Sequence, residues 1–92
     1  MGLGAPMRMR MSQHAVRQVR DRRIPLATLE KVLDEPDQVT IEHGGRKAYQ
    51  SIVDLGRGHR LLLRAIVDDR VEPPVVVTVY ATKRIAKYWR PT

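Results

Sequence analysis

The side chains here that can move protons or hold phosphate are His14, His43 and His59, three tyrosines and 17 Lys+Arg, with no Cys in 92 residues. Without a thiol, cysteine-based nucleophilic catalysis, thiolate metal sites and disulfides are excluded. Ser12 and Ser51 lack the flanking glycines of a nucleophile elbow. The histidines are scattered and no carboxylates gather at ligand spacing, so neither a metal nor a cofactor is expected. The remaining inventory suits metal-free cleavage of RNA. There the substrate's own 2′-hydroxyl attacks the adjacent phosphate, and the protein supplies only a base, an acid and cations for the developing charge.

The stretch from Val75 to Trp89 concentrates that inventory. Alternation along a β-branched strand sends Val75, Val77, Val79 and Ala81 to one face and Val76, Thr78, Tyr80 and Thr82 to the other. Lys83, Arg84, Lys87 and Arg90 follow with Tyr88 and Trp89 among them, a mixture of cations and flat rings that suits a phosphate backbone with exposed bases. The blander account of the same residues is a core strand followed by a solvated amphipathic helix.

The elements that must position these groups form one small domain, residues 8–92, behind a flexible leader over residues 1–7. Aromatics make up only 4% and Phe is absent, so Val, Leu and Ile must fill the core. A net charge of +7 favours a polyanionic partner. No window approaches the roughly 20 apolar residues of a membrane span, and the N-terminus lacks the order of a secretory signal, so a soluble, cytoplasmic protein is expected.

Ser12 is a good N-cap for a helix to about Arg23, with Ala15, Val16 and Val19 as its apolar stripe. Pro25 can open a second helix whose Leu26, Leu29, Val32 and Leu33 recur at helical spacing until Asp34-Glu35-Pro36. The period then becomes alternating. Gln38 to His43 and Arg46 to Leu55 flank Gly44-Gly45 as a hairpin, His59 to Asp68 supplies a third strand, and Val75 opens the fourth. The expected fold is α+β in the order ααββββα: two N-terminal helices on a four-stranded antiparallel sheet, with a short C-terminal helix. Charge is segregated along it. Arg8 to Arg23 holds six Arg and one acid, whereas Glu30 to Glu42 holds five acids and one Lys.

Ser12-Gln-His14-Ala15-Val-Arg17, Arg22-Arg-Ile24, Leu33-Asp-Glu-Pro36-Asp, Gly45-Arg46-Lys47-Ala-Tyr49-Gln50, Leu63-Arg64, Val77-Thr78-Val-Tyr80-Ala-Thr82 and Lys87-Tyr88-Trp89 follow one another in order. Together they resemble a small bacterial domain family grouped with the RelE-like toxins, in the barnase, EndoU, colicin and RelE superfamily of ribonucleases. The resemblance covers about Met9 to Arg90. It implies helices packed on a curved antiparallel sheet, metal-free RNA cleavage on the exposed concave face, and an acidic antitoxin protein as the usual partner. Lys87, Tyr88 and Arg90 loosely meet the basic, Tyr-bearing C-terminus of relatives that act in the ribosome, without an exact match.

On that pattern the catalytic candidates are His14, Arg46, Arg64, Tyr80, Lys87 and Tyr88, and the RNA-binding candidates are Arg17, Lys47, Tyr49, Thr78, Lys83 and Arg84. His14 suits a general acid or base; it can equally cap or pack a helix start. Arg46 suits a phosphate contact, while Tyr49 lies on the opposite strand face. Arg64 interrupts an apolar strand, so it either faces a polar cleft or pairs with an acid such as Asp54. Tyr80 can stack on a base or relay a proton, or simply complete the core. Ile85 and Trp89 are better read as anchors of the last helix. The first functional expectation is a metal-independent endoribonuclease toxin cutting RNA by 2′-hydroxyl attack. The alternative is a non-catalytic nucleic-acid- or protein-binding module of the same fold, as in a phage or accessory protein.

Overall fold

A computed structural model of the protein describes residues 8–56 and 58–91. The leader expected over residues 1–7 lies outside the described residues. In chain order the elements are β1 (Arg10–Met11), α1 (Gln13–Asp21), α2 (Leu26–Asp34), β2 (Gln38–Ile41), a 3-10 turn (His43–Gly45), β3 (Lys47–Asp54), β4 (Arg60–Asp68), β5 (Val75–Thr82) and α3 (Ile85–Tyr88). The sheet has five strands in the order β1-β5-β4-β3-β2. Four are antiparallel neighbours, and β1 pairs with β5 in parallel.

That corrects the expected four-stranded antiparallel sheet. The additional strand is two residues long, too short for any alternation to register, and it exists only because Arg10 N donates to Pro74 O at 2.8 Å and Ser12 N to Val76 O at 2.9 Å. Beyond β1 the outer edge of β5 is closed by α1. The Ser12 hydroxyl donates to Val77 O at 2.9 Å, and Val79 N donates to Gln18 Oε1 at 2.7 Å.

Ser12 also caps α1 as expected, accepting from Ala15 N at 3.0 Å. The helix ends in a Schellman-type turn, with Ile24 N bonded to Val19 O and Arg23 at φ 55. Two apolar positions of the helical stripes are not core. Val16 is 46% and Leu26 52% exposed, because each projects from the rim of its helix rather than from the face that meets the sheet. The hairpin is present, with Gly44 and Gly45 at φ 74 and 78, but its first strand ends at Ile41 and the turn is three residues long, His43–Gly45, closed by Glu42 N on Arg46 O at 2.8 Å rather than by the Gly-Gly pair alone.

Both longer helices cover one face of the sheet. Ala15, Ile24, Leu29, Val32 and Leu33 pack there against Leu63, Ala65, Val67, Val76 and Val79, an aliphatic core as the composition requires. The presence of Val76 in that set overturns strict alternation along the last strand. A bulge between Ile66 and Val67 pairs Ile66 with Thr78 and Val67 with Val76, so Val77 is the extra residue and Val76 turns to the helix side. Across β3 and β4 the alternation holds. Tyr49 and Val53 face the helices while Ala48, Gln50, Leu62, Arg64 and Ile66 face away. Among the described residues no helix is long and apolar enough to cross a membrane.

Candidate functional site

The helix-free face carries a polar row at right angles to the strands. Register places Gln38 beside Gln50, Gln50 beside Arg64 and Arg64 beside Tyr80, one residue from each of β2 to β5. Side chains this close on one face of a sheet interact directly. Gln50 Nε2 donates to Gln38 Oε1 at 2.9 Å, Arg64 Nε donates to Gln50 Oε1 at 2.8 Å, and Arg64 Nη1 donates to the Tyr80 hydroxyl. The third guanidinium nitrogen, Nη2, donates to Glu42 Oε2 at 2.9 Å, an oxygen that also accepts from the Thr40 hydroxyl at 3.2 Å.

α3 and the residues after it fold over this row. Tyr88 sets its ring 4.2 Å from the Arg64 guanidinium, a cation–π stack, and meets the Tyr80 ring edge-on at 6.2 Å. Gln50 Nε2 donates to Tyr88 O at 3.2 Å, and Gln38 Oε1 accepts from Arg90 N at 3.1 Å while its amide donates to Arg90 O. Gln38 therefore treats the tail as a sixth strand would, matching one N–H and one C=O. The tail over the site is tied down by Gln50, which also accepts from Arg64, and by Gln38, which in turn accepts from Gln50.

Burial is graded across the cluster. Arg64 is 3% exposed and Gln50 wholly buried, whereas the Glu42 side chain is 26% exposed, Tyr80 and Tyr88 are half-buried and Lys87 is open to solvent. A buried guanidinium is tolerable only with its donors matched, and among the described residues no buried side-chain polar atom lacks a partner. The two phenols are pushed apart. Burial raises the pKa of Tyr80, against the pull of Arg64. Hydrogen bonding with Tyr80, followed by the charges of Lys87 and Arg64, lowers that of Tyr88.

Of the residues expected to act, Arg64, Tyr80, Lys87 and Tyr88 are brought together. His14 and Arg17 are exposed on α1, on the helical side of the sheet. Arg46 is half-buried before β3, where its carbonyl accepts from Glu42 N and its charge acts on Asp68 rather than on the row. Lys47 is paired with Asp69 at 2.6 Å, and Tyr49 packs on the helix-side core. Thr78 shares the open face with Tyr80, and Lys83 and Arg84 are exposed in the turn before α3.

The acid that pairs with Arg64 is Glu42, not Asp54. Asp54 pairs in register with Arg60, two cross-strand steps along the same face, and spends its carboxylate on Gly56 N. Glu42, Gln38 and Gln50 are the members that sequence reasoning passed over. Their signal was register, and the register turns on the loop: the three-residue turn His43–Gly45, closed by Glu42 and Arg46, sets Gln50 opposite Gln38, where a two-residue Gly44-Gly45 turn would set Ser51.

No curated protein and no solved structure matches this chain. Residues 11–81 match a family described as a domain of unknown function, DUF4258, a span that includes the whole polar row and stops short of Lys87 and Tyr88. The chain belongs to that DUF4258 family.

Proposed function

We propose that the protein is a metal-independent endoribonuclease of the RelE-like type, the toxin of a toxin–antitoxin pair, acting on RNA at the helix-free face of its sheet. The observation that carries this reading is the pairing of Glu42, an ion-paired carboxylate, with two phenols of opposite pKa shift around one guanidinium. Titratable groups driven apart by their surroundings are what acid–base division of labour needs.

In this reading Glu42 takes the proton of the 2′-hydroxyl as its oxygen bonds to phosphorus. The bond from phosphorus to the 5′-oxygen breaks, and Tyr88 gives that oxygen its proton, leaving a 2′,3′-cyclic phosphate and a 5′-hydroxyl. Tyr88 is the better acid because its pKa is drawn down towards the working pH. Lys87, exposed beside it, stabilises charge on the phosphate oxygens. Arg64 is a positioning residue: buried beneath Tyr88, it fixes Glu42 and Tyr80.

The test is incubation of the full chain with single-stranded RNA in chelator, with and without ribosomes, alongside growth of cells expressing it. The expected outcome is cyclic-phosphate ends and growth arrest. Glu42→Gln and Tyr88→Phe should lower the rate by about 10²–10⁴-fold. Activity should fall at high pH as Tyr88 loses its proton, at a lower pH than an ordinary phenol, and Tyr88→Phe should abolish that limb. Intact RNA under both conditions with normal growth overturns the proposal.

A binding-only module is the second reading, favoured by one observation: all three Arg64 nitrogens are engaged within the protein. It predicts salt-sensitive RNA binding without turnover, unaffected by Glu42→Gln.

A further inference from the structure

The two edges of the sheet are finished differently. The outer side of β5 is closed by β1 and by Ser12 and Gln18, whereas among the described residues no strand lies beyond β2. Because Glu42 N donates to Arg46 O, alternate pairing turns the N–H and C=O groups of residues 38, 40 and 42 towards β3 and those of Val39 and Ile41 outwards. The side chains of the same two residues are bare. Val39 is 48% and Ile41 75% exposed, the latter the most exposed of the large hydrophobics described. Both lie on the helix side of the sheet, but α2 packs on β3 and β4 and leaves them uncovered. Edge strands are usually blunted by a charge, a proline or a bulge, and Gln38–Ile41 has none of these.

An open edge takes a strand, and the strand that fits this one is its own copy. In antiparallel pairing about a two-fold axis at Thr40, Val39 stands opposite the partner's Ile41 and Ile41 opposite the partner's Val39, each pair exchanging two N–H···O=C bonds. This register engages both outward-facing residues of both strands. The four apolar side chains then form one cluster on the helix side, withdrawn from water. Charge agrees with the same register. Gln38 faces the partner's Glu42 and Asp37 the partner's His43, so no like charges are opposed. The acids at the two ends of β2 are also already held, Glu42 by Arg64 and Asp37 by Ile52 N.

We infer that two copies of this chain join edge to edge through β2, giving one continuous ten-stranded sheet with the α2 helices of both copies on the same side. The pairing brings the partner's Gln38 beside Glu42 on the helix-free face, so the two polar rows meet across the seam. It requires no catalysis at those rows. A seam of two four-residue strands falls below the roughly 1,000 Å² of a permanent interface, so the dimer is reversible and depends on concentration.

Sedimentation equilibrium of the full chain should show a reversible rise from 10.6 kDa towards twice that mass as the chain is raised from about 10 μM to about 1 mM. Over the same range the Val39 and Ile41 amides should become protected from hydrogen exchange, while the Thr40 amide, directed at β3, is protected throughout. Ile41→Lys, at an exposed position, should weaken association at least about tenfold and leave a folded monomer. Single cysteines placed in a chain that has none read the register. In a glutathione redox buffer, Thr40→Cys, whose two copies meet at the axis, should form a disulfide-linked dimer at least about tenfold faster than Ile41→Cys, which faces residue 39. A monomer at every concentration, a dimer indifferent to Ile41→Lys, or faster linkage at position 41 than at 40 would overturn the inference.

Discussion

Arg64 shows how one residue can be both conspicuous in a sequence and misleading about its job. A cation inside an apolar strand demands a partner, and that much is legible; the partner turns out to be four groups at once, Gln50, Tyr80, Glu42 and the ring of Tyr88. Removing one member of a buried ion pair strands the other, so Arg64→Ala should destabilise the fold by about 3–5 kcal/mol in chemical denaturation. Lys87→Ala, at an exposed position, should change stability by no more than about 0.5 kcal/mol. Equal effects would show that the network does not carry the tail. A second residue-scale outcome concerns Asp68, whose carboxyl is drawn from 3.8 to about 2, first by hydrogen bonding from Arg70. A depressed carboxyl stabilises the fold fully above its unfolded value and loses that contribution as pH falls from 3.8 towards 2. Stability measured across that window should therefore fall less steeply with acid in Asp68→Asn.

At the scale of elements, helix ends and turns were readable because their signals are local. Ser12 caps, Pro25 opens and the Gly44-Gly45 pair turns, each by its own backbone chemistry. The end of α1 is the exception in residue type. Arg23 occupies a left-handed conformation, φ 55, where glycine is the usual choice. Arg23→Gly should raise stability by about 0.5–1 kcal/mol in thermal or denaturant unfolding, the relief of that strain outweighing the greater freedom of glycine in the unfolded chain. β1 and the bulge at Val77 were not readable. Both arise from where β5 meets its neighbours, and the alternation of a strand carries no mark of a residue inserted by pairing.

For the whole molecule, the net charge of +7 is a property of distribution as much as of sum. Several cations are consumed internally, Lys47 by Asp69, Arg64 by Glu42 and Arg70 by Asp68. Lys83, Arg84, Lys87 and Arg90 remain exposed around α3, beside the polar row. If single-stranded RNA follows that rim, the logarithm of its affinity should fall with the logarithm of salt at a slope of about −3, and Lys87→Ala should reduce the slope by about 0.7. A slope indifferent to Lys87 would move the RNA elsewhere.

The sequence by itself determined the aliphatic core, the order of the longer elements and the presence of a cation, Arg64, inside one apolar strand and a phenol, Tyr80, on another, because periodicity, caps and turns act over a few residues. Only the tertiary structure decided that Glu42, Gln38 and Gln50 belong with Arg64 and that His14 and Arg46 do not. Those groupings join residues far apart in the chain through strand register and the crossing of helix over sheet, and no local pattern encodes a distance set by that packing.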